Sequence, residues 1–302
     1  MEAFGEYVNR ISLEIITGMR KMKSTITSGG GEMKGKVLTI AGSDPGGGAG
    51  IQADLKTITV LGGYGMSVVT ALTAQNTRGV QGIFRIPVDF VKRQLDSVLG
   101  DGGVDAVKTG MLLSADIVSA VCGKIREYRI ERLVVDPIIV SSDGSSLLTD
   151  DGREALISEL IPLSLVVTPN IPEAEVLSGI SIRSLEDMKR ASEIIARHGV
   201  RNVIVKGGHF PGDPVDLLYD GSDFHLFSAE RIPVGDVHGT GCTFSAAVAA
   251  GLAAQKTVRE SVTLAKEYIS CAIENALRTG GGRRVPDHFP DKFVCEEICG
   301  EG

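Results

Sequence analysis

The chain has 302 residues, 43% of them hydrophobic and 23% charged, with a formal net charge of −7. That is enough apolar material for one large buried core, while the acidic balance, the 5% aromatic content and the lack of a basic stripe exclude a nucleic-acid-binding role. Cys122, Cys242, Cys271, Cys295 and Cys299 match no zinc spacing, apolar runs such as 245–254 are too short to cross a bilayer, and the first residues fit neither a signal nor a transit peptide, so a cytoplasmic protein with reduced thiols and no membrane contact is expected.

Residues 1–34 stand apart from the rest. Phe4, Val8, Ile11, Ile15, Met19 and Met22 recur at steps of three and four, the spacing of an amphipathic helix. Ser28-Gly29-Gly30-Gly31 then reads as a linker. The plain reading is an appended helix or an early start codon, because Met33 opens a tidier domain; a partner-binding or membrane-surface helix is the alternative. The division is therefore 1–34, a helical extension with a Gly-rich linker, and 35–302, the main domain.

From residue 37 the pattern becomes strand, loop, helix, repeated. Strands are expected at 37–41, 66–72, 106–108, 133–135, 165–167 and 203–205, with helices at 50–61, 88–99 and 115–127. Two further runs, 217–219 and 225–227, flank Asp220-Gly221 and predict a small antiparallel edge hairpin. Long helices at 240–254 and 258–278 follow, the second opened by the capping box Thr257-Val258-Arg259-Glu260. Alternating units of this kind predict an α/β fold with a mostly parallel central sheet and helices on both faces. Its ligands would sit at the carboxyl ends of the strands.

Several of those strand ends carry chemistry. The loop from Gly42 to Gly50 joins the first strand to its helix, and its Cβ-free backbone lets N–H groups approach a ligand closely. Gly48, Gly50 and Ala53 satisfy a dinucleotide spacing, but the second strand ends near Thr73-Ala74-Gln75-Asn76 without the required acid, and a Walker-type Lys is missing too. Gly239-Thr240-Gly241-Cys242 opens a helix of small residues, so its N–H groups form a nest for negative charge, as on a transferring phosphoryl group. Cys242 in that first turn is either a thiol made acidic by the helix dipole, able to take a proton from an attacking hydroxyl, or a small buried side chain; spacing does not choose. Asp136 ends a strand, and Glu173 in Asn170-Ile171-Pro172-Glu173 is either a magnesium acid or a first-turn helix acid. Lys206 either reaches a phosphate or is merely solvated.

Taken in order, these segments resemble the hydroxymethylpyrimidine/phosphomethylpyrimidine kinases of thiamine biosynthesis, which are ribokinase-like enzymes. The resemblance rests on Leu38-Thr39-Ile40-Ala41-Gly42-Ser43-Asp44-Pro45 with Gly47 to Thr57, on Thr70 to Thr77, and on Lys108-Thr109-Gly110-Met111-Leu112. It continues through Thr168 to Ala174, Val205-Lys206-Gly207-Gly208-His209 and His238 to Thr243, and spans about Lys36 to Phe289. It implies ATP and Mg²⁺ as cofactors and a small pyrimidine as substrate. It further implies that Gln75 hydrogen-bonds the pyrimidine, with Gly42, Ala49, Asp54 and Met111 at substrate-pocket positions. Asp136 and Glu173 match the acids around magnesium, and Lys206, Thr240 and Asn170 match nucleotide contacts. Cys242 matches the general-base position, flanked by the catalytic glycines Gly239 and Gly241. A homodimer is a family expectation alone.

The chain departs from the family pattern in three places. Gly46 replaces a usual Ser, Ser141-Ser142-Asp143-Gly144 replaces Ala-Lys-Ser-Gly, and Gly280-Gly281-Gly282-Arg283-Arg284 replaces a Gly-His-Gly form. Two rival functions are a pyridoxal or pyridoxine kinase on the same fold and a non-catalytic ligand sensor; intact Asp136, Glu173, Lys206 and Cys242 speak against the second.

Overall fold

The computed structural model describes residues 34–140, 147–208 and 213–294. The extension up to Met33, Ser141 to Gly144, His209, Cys295 and Cys299 lie outside the described residues.

The first strand, β1 (Lys36–Ser43), is buried at all but its two end residues, as a parallel strand covered on both faces must be. Its side chains alternate between two cores. Leu38 and Ile40 face Leu95, Ile117 and Val118 on one side, and Val37 faces Ile58, Val248 and Tyr268 on the other. The first helix, α1 (Gly50–Val60), follows the Gly-rich loop. Next come β2 (Tyr64–Asn76), β3 (Gly79–Arg85), α2 (Val88–Gly102), β4 (Ala106–Thr109), α3 (Ala115–Glu127) and β5 (Leu133–Val135). After α4 (Asp150–Ala155) and two short irregular turns come β6 (Val166–Val167), α5 (Ile171–Ser178), α6 (Leu185–Ala196) and β7 (Asn202–Val205). The chain then forms β8 (Val215–Tyr219), β9 (Phe224–Ser228), α7 (Thr240–Ala253) and α8 (Val258–Glu274).

Among the described residues these strands make one nine-stranded sheet in the order β3-β2-β1-β4-β5-β6-β7-β8-β9. Six central strands, β2 through β7 in that order, are parallel. The expected hairpin is β8–β9, antiparallel to β7. A second antiparallel edge was not expected: β2 runs on past β1, and β3 folds back on it from Ala71↔Arg85 to Asn76↔Gly79. The strand order reverses between β1 and β4, which opens a crevice at their carboxyl ends.

Residues 242 to 253 of α7 are all buried, because its small Ala and Gly residues let it lie between the sheet and α8 with no polar face. The helix expected at 258–278 stops at Glu274. Three residues beyond Glu274, Leu277 instead exchanges backbone hydrogen bonds with Val285, at 2.8 and 3.0 Å.

Candidate active site

A cavity of about 470 Å³ opens at the crevice, walled by the loop after β1, the ends of β5, β6 and β7, and the start of α7. Every residue singled out from the sequence as a site residue lines it, with the exception of Asp54.

The loop after β1 is folded around Asp44. Its carboxylate accepts from the N–H groups of Gly46 (2.8 Å), Gly48 (3.2 Å) and Ala49 (2.9 Å). Burial pushes this carboxyl up, but the neighbouring His238 and the loop N–H groups outweigh burial and hold it below the ordinary carboxylate range. The loop meets the start of α7 backbone to backbone. Gly239 has φ +93°, and a Cβ there would stand 1.8 Å from the Gly48 carbonyl oxygen, so any other residue would drive the two walls apart.

Gln75 sits on the part of β2 that extends beyond β1. Its Oε1 accepts from Thr73 Oγ1 at 3.2 Å, and its Nε2 lies 2.9 Å from His238 Nε2. Asp44 Oδ2 is 3.5 Å from the same His238 nitrogen. An amide has two N–H donors and two acceptor sites, so these contacts leave one of each, the pair an aminopyrimidine edge requires. Met111 closes the pocket from below: a Cβ on Gly42 would lie 2.3 Å from its Cε, and its carbonyl accepts from Thr70 Oγ1 at 2.6 Å.

At the other end, Asp136 follows β5. It accepts from Lys206 Nζ (3.0 Å), Thr168 Oγ1 (3.1 Å) and Ser245 Oγ (3.2 Å). Burial raises its pKa, but Lys206 and Lys108 outweigh that and keep it ionised. Glu173 serves both of its sequence readings. It is the third residue of a capping box with Asn170, accepting from the Asn170 N–H at 2.8 Å, and it also lines the cavity. Burial, with Asp136 adding to it and Lys206 opposing, pushes its carboxyl up to about 8. Lys206 is not a solvated lysine, for only 14% of its side chain is exposed. A Cβ on Gly241 would come within 3.1 Å of its ammonium, so the start of α7 and Lys206 face the same small space.

Two expectations need correction. Asp54 does not touch the cavity. It is fully buried, and accepts from Lys108 Nζ at 2.8 and 2.9 Å and from Thr39 Oγ1 at 2.5 Å. Cys242 is 8% exposed, and the helix start does not make it acidic. Burial pushes the thiol up to about 11, with Asp54 and Asp136 adding to the rise and Lys108 and the Gly50 N–H opposing it. Sequence reasoning also missed Lys108, His238 and Asp44. A lysine inside a four-residue, wholly buried strand is the signal for the first, since such a charge needs an acid beside it.

A strand-end crevice with a backbone nest, a buried thiol, a lysine and two acids defines a ribokinase-like small-molecule kinase. The profile described as phosphomethylpyrimidine kinase matches residues 44–287. Over 259 residues the chain is 47% identical to the hydroxymethylpyrimidine/phosphomethylpyrimidine kinase of Bacillus subtilis, covering 85% of this chain and 96% of that protein. It is 52% identical to the thiamine biosynthesis bifunctional protein ThiED of Geobacter sulfurreducens over 85% of this chain, but spans only about half (52%) of that longer relative. The solved ADP complex of Bacillus subtilis pyridoxal kinase superposes with a TM-score of 0.80 at 38% identity, covering 85% of this chain and 98% of that one. The chain belongs to the phosphomethylpyrimidine kinase family.

Proposed function

We propose that this protein uses ATP to phosphorylate the hydroxymethyl group of 4-amino-5-hydroxymethyl-2-methylpyrimidine, and then the resulting monophosphate, in thiamine biosynthesis. One observation carries the reading: a single cavity holds an amide with a free donor–acceptor pair, Gln75, together with the Gly239–Gly241 nest and Cys242. A ring held on Gln75 against Met111 presents its alcohol to the start of α7. The nest N–H groups and Lys206 would then face the oxygens of the transferring phosphoryl group, where charge develops. Cys242, in its deprotonated form, would receive the hydroxyl proton at Sγ.

Magnesium fits the same end. Asp136 and Glu173 both line the cavity, and Glu173 is raised chiefly by burial and further by Asp136, so a divalent cation beside the two would favour its ionised form. Among the described residues no group of three His, Cys, Asp or Glu side chains is arranged to hold a metal, which suits an ion completed by water and phosphate oxygens. When bound, Mg²⁺ supplies charge neutralisation on the phosphates. Among the described residues no helix is long and apolar enough to cross a membrane, and a nucleotide substrate with a reduced thiol suits a cytoplasmic enzyme.

Purified protein should release ADP with the pyrimidine alcohol only when Mg²⁺ is present, and faster than with pyridoxal. Faster turnover of pyridoxal would favour the pyridoxal-kinase reading, and equal ADP release with and without either substrate would leave a non-catalytic sensor. Gln75→Leu removes the ring's donor–acceptor partner and leaves the nucleotide end untouched. It should raise KM for the pyrimidine by about 10²-fold or more, because unpaired polar groups discriminate strongly, with KM for ATP nearly constant. An equal rise in both would make Gln75 a structural residue.

A further inference from the structure

A second cleft, of about 500 Å³, adjoins the active site and is lined by Arg78, Arg278, Arg283, Arg284, Thr77 and Asp236, among others. Four guanidinium groups against one lining acid make a concentrated positive surface on a chain of net charge −7. Three of the four arginines follow α8.

These arginines sit on a fixed frame. The Leu277–Val285 backbone pair closes the segment into a loop, and the loop is clasped onto the β2–β3 turn. Gly282 N–H donates to Thr77 Oγ1 at 3.0 Å, and Arg283 N–H donates to the Thr77 carbonyl at 2.9 Å. A Cβ on Gly282 would stand 2.0 Å from the Thr77 carbonyl oxygen, so the clasp depends on glycine there. Arg283 Nε pairs with Asp236 at 2.9 Å, and Arg284 Nη1 donates to the Ala276 carbonyl at 3.1 Å. Among the described residues Arg78 and Arg278 pair with no acid.

We propose that this cleft is a binding site for the diphosphate group of a small phosphorylated molecule. A guanidinium offers a planar fork of donors matched to phosphate oxygens, and a single phosphate would occupy only one such fork well. Two arginines of the lining that pair with no acid among the described residues, with Arg284 in the same lining, match the two linked phosphates of a diphosphate. Asp236 lines both this cleft and the active-site cavity. An anion that draws Arg283 away leaves the Asp236 charge facing the active-site mouth, where it opposes entry of an anionic monophosphate more than of a neutral alcohol. The end product of the reaction proposed above carries such a diphosphate, and this link to product rests on that reading; the binding does not.

Titration calorimetry with inorganic pyrophosphate, without Mg²⁺, tests the site. Wild type should bind it, Arg78→Ala/Arg278→Ala should weaken binding by about tenfold or more, and Lys206→Ala should leave this binding in place. Arg78→Gln/Arg278→Gln provides a second pair should the first misfold, and retained circular dichroism identifies a folded variant. No binding by wild type overturns the proposal. So does unchanged affinity in the folded arginine variants, or loss of all binding in Lys206→Ala, which would put pyrophosphate in the active site. Failure of wild type to release ADP would count against the kinase reading alone, since the calorimetry does not require turnover.

Discussion

Cys242→Ser should lower kcat by about 10²-fold or more, the usual contribution of a positioned base, with little change in KM for ATP. The serine keeps the size of the side chain and the packing against Ala49 and Ala53, so the loss reports the thiol's chemistry. The position of its pKa adds a sharper readout. With the thiol pushed up to about 11, the thiolate is the minor form at neutral pH. The deprotonated thiol is the form that accepts a proton, so the wild-type rate should climb from pH 7 towards pH 10, and the serine variant should lose that slope. Cys242→Asp should keep part of the activity, because a carboxylate is ionised far below the pH at which this thiol is. A serine variant that turns over at the wild-type rate across pH 6 to 9 would leave the nest and Lys206 as sufficient, with the hydroxyl proton leaving on the phosphate.

The places where the sequence was legible share a physical reason. Asp136, Asn170 and Lys206 each follow a short strand that ends in apolar residues, so the end of the hydrophobic run marks both the strand end and the ligand crevice. The Gly-rich stretches before α1 and α7 were legible because only close backbone approach calls for so many glycines. The β3 strand was not. Residues 81 to 85 are exposed on both faces, so no alternation distinguishes them, and Gly79 and Gly82 read as loop. The Asp54 role is not legible because its partner, Lys108, lies 54 residues away in sequence, and it takes the β1–β4 pairing and the packing of α1 on β1 to bring the two together. The two readings of Cys242 stay open in the sequence for a related reason. The helix start is visible in the sequence, but the burial and the Asp54 and Asp136 charges that outweigh it belong to the tertiary structure.

The same buried pair predicts the largest stability effect. Lys108 and Asp54 side chains are both fully excluded from solvent, with Lys108 Nζ bonded to both carboxylate oxygens. Burial alone would push the lysine's pKa down; the Asp54 charge, with Cys242 and Asp136 further off, outweighs burial and holds it protonated. Removing one partner strands the other as an unpaired charge in the core, which costs about 3–5 kcal/mol. Lys108→Met should therefore lower Tm by roughly 6–20 °C. The double variant Lys108→Met/Asp54→Asn leaves no stranded charge and should recover much of that loss. Cys242 supplies a second readout with opposite signs. Asp54→Asn removes a negative charge and leaves the Lys108 charge uncompensated, so the thiol should become more acidic than in wild type and react faster with iodoacetamide at pH 8. Lys108→Met/Asp54→Asn should lose that gain, because the cation that favours the thiolate has gone. A Lys108→Met protein that melts with wild type would show that the pair does not anchor the core, and alkylation rates that are the same in all the variants would show that it does not act on the thiol.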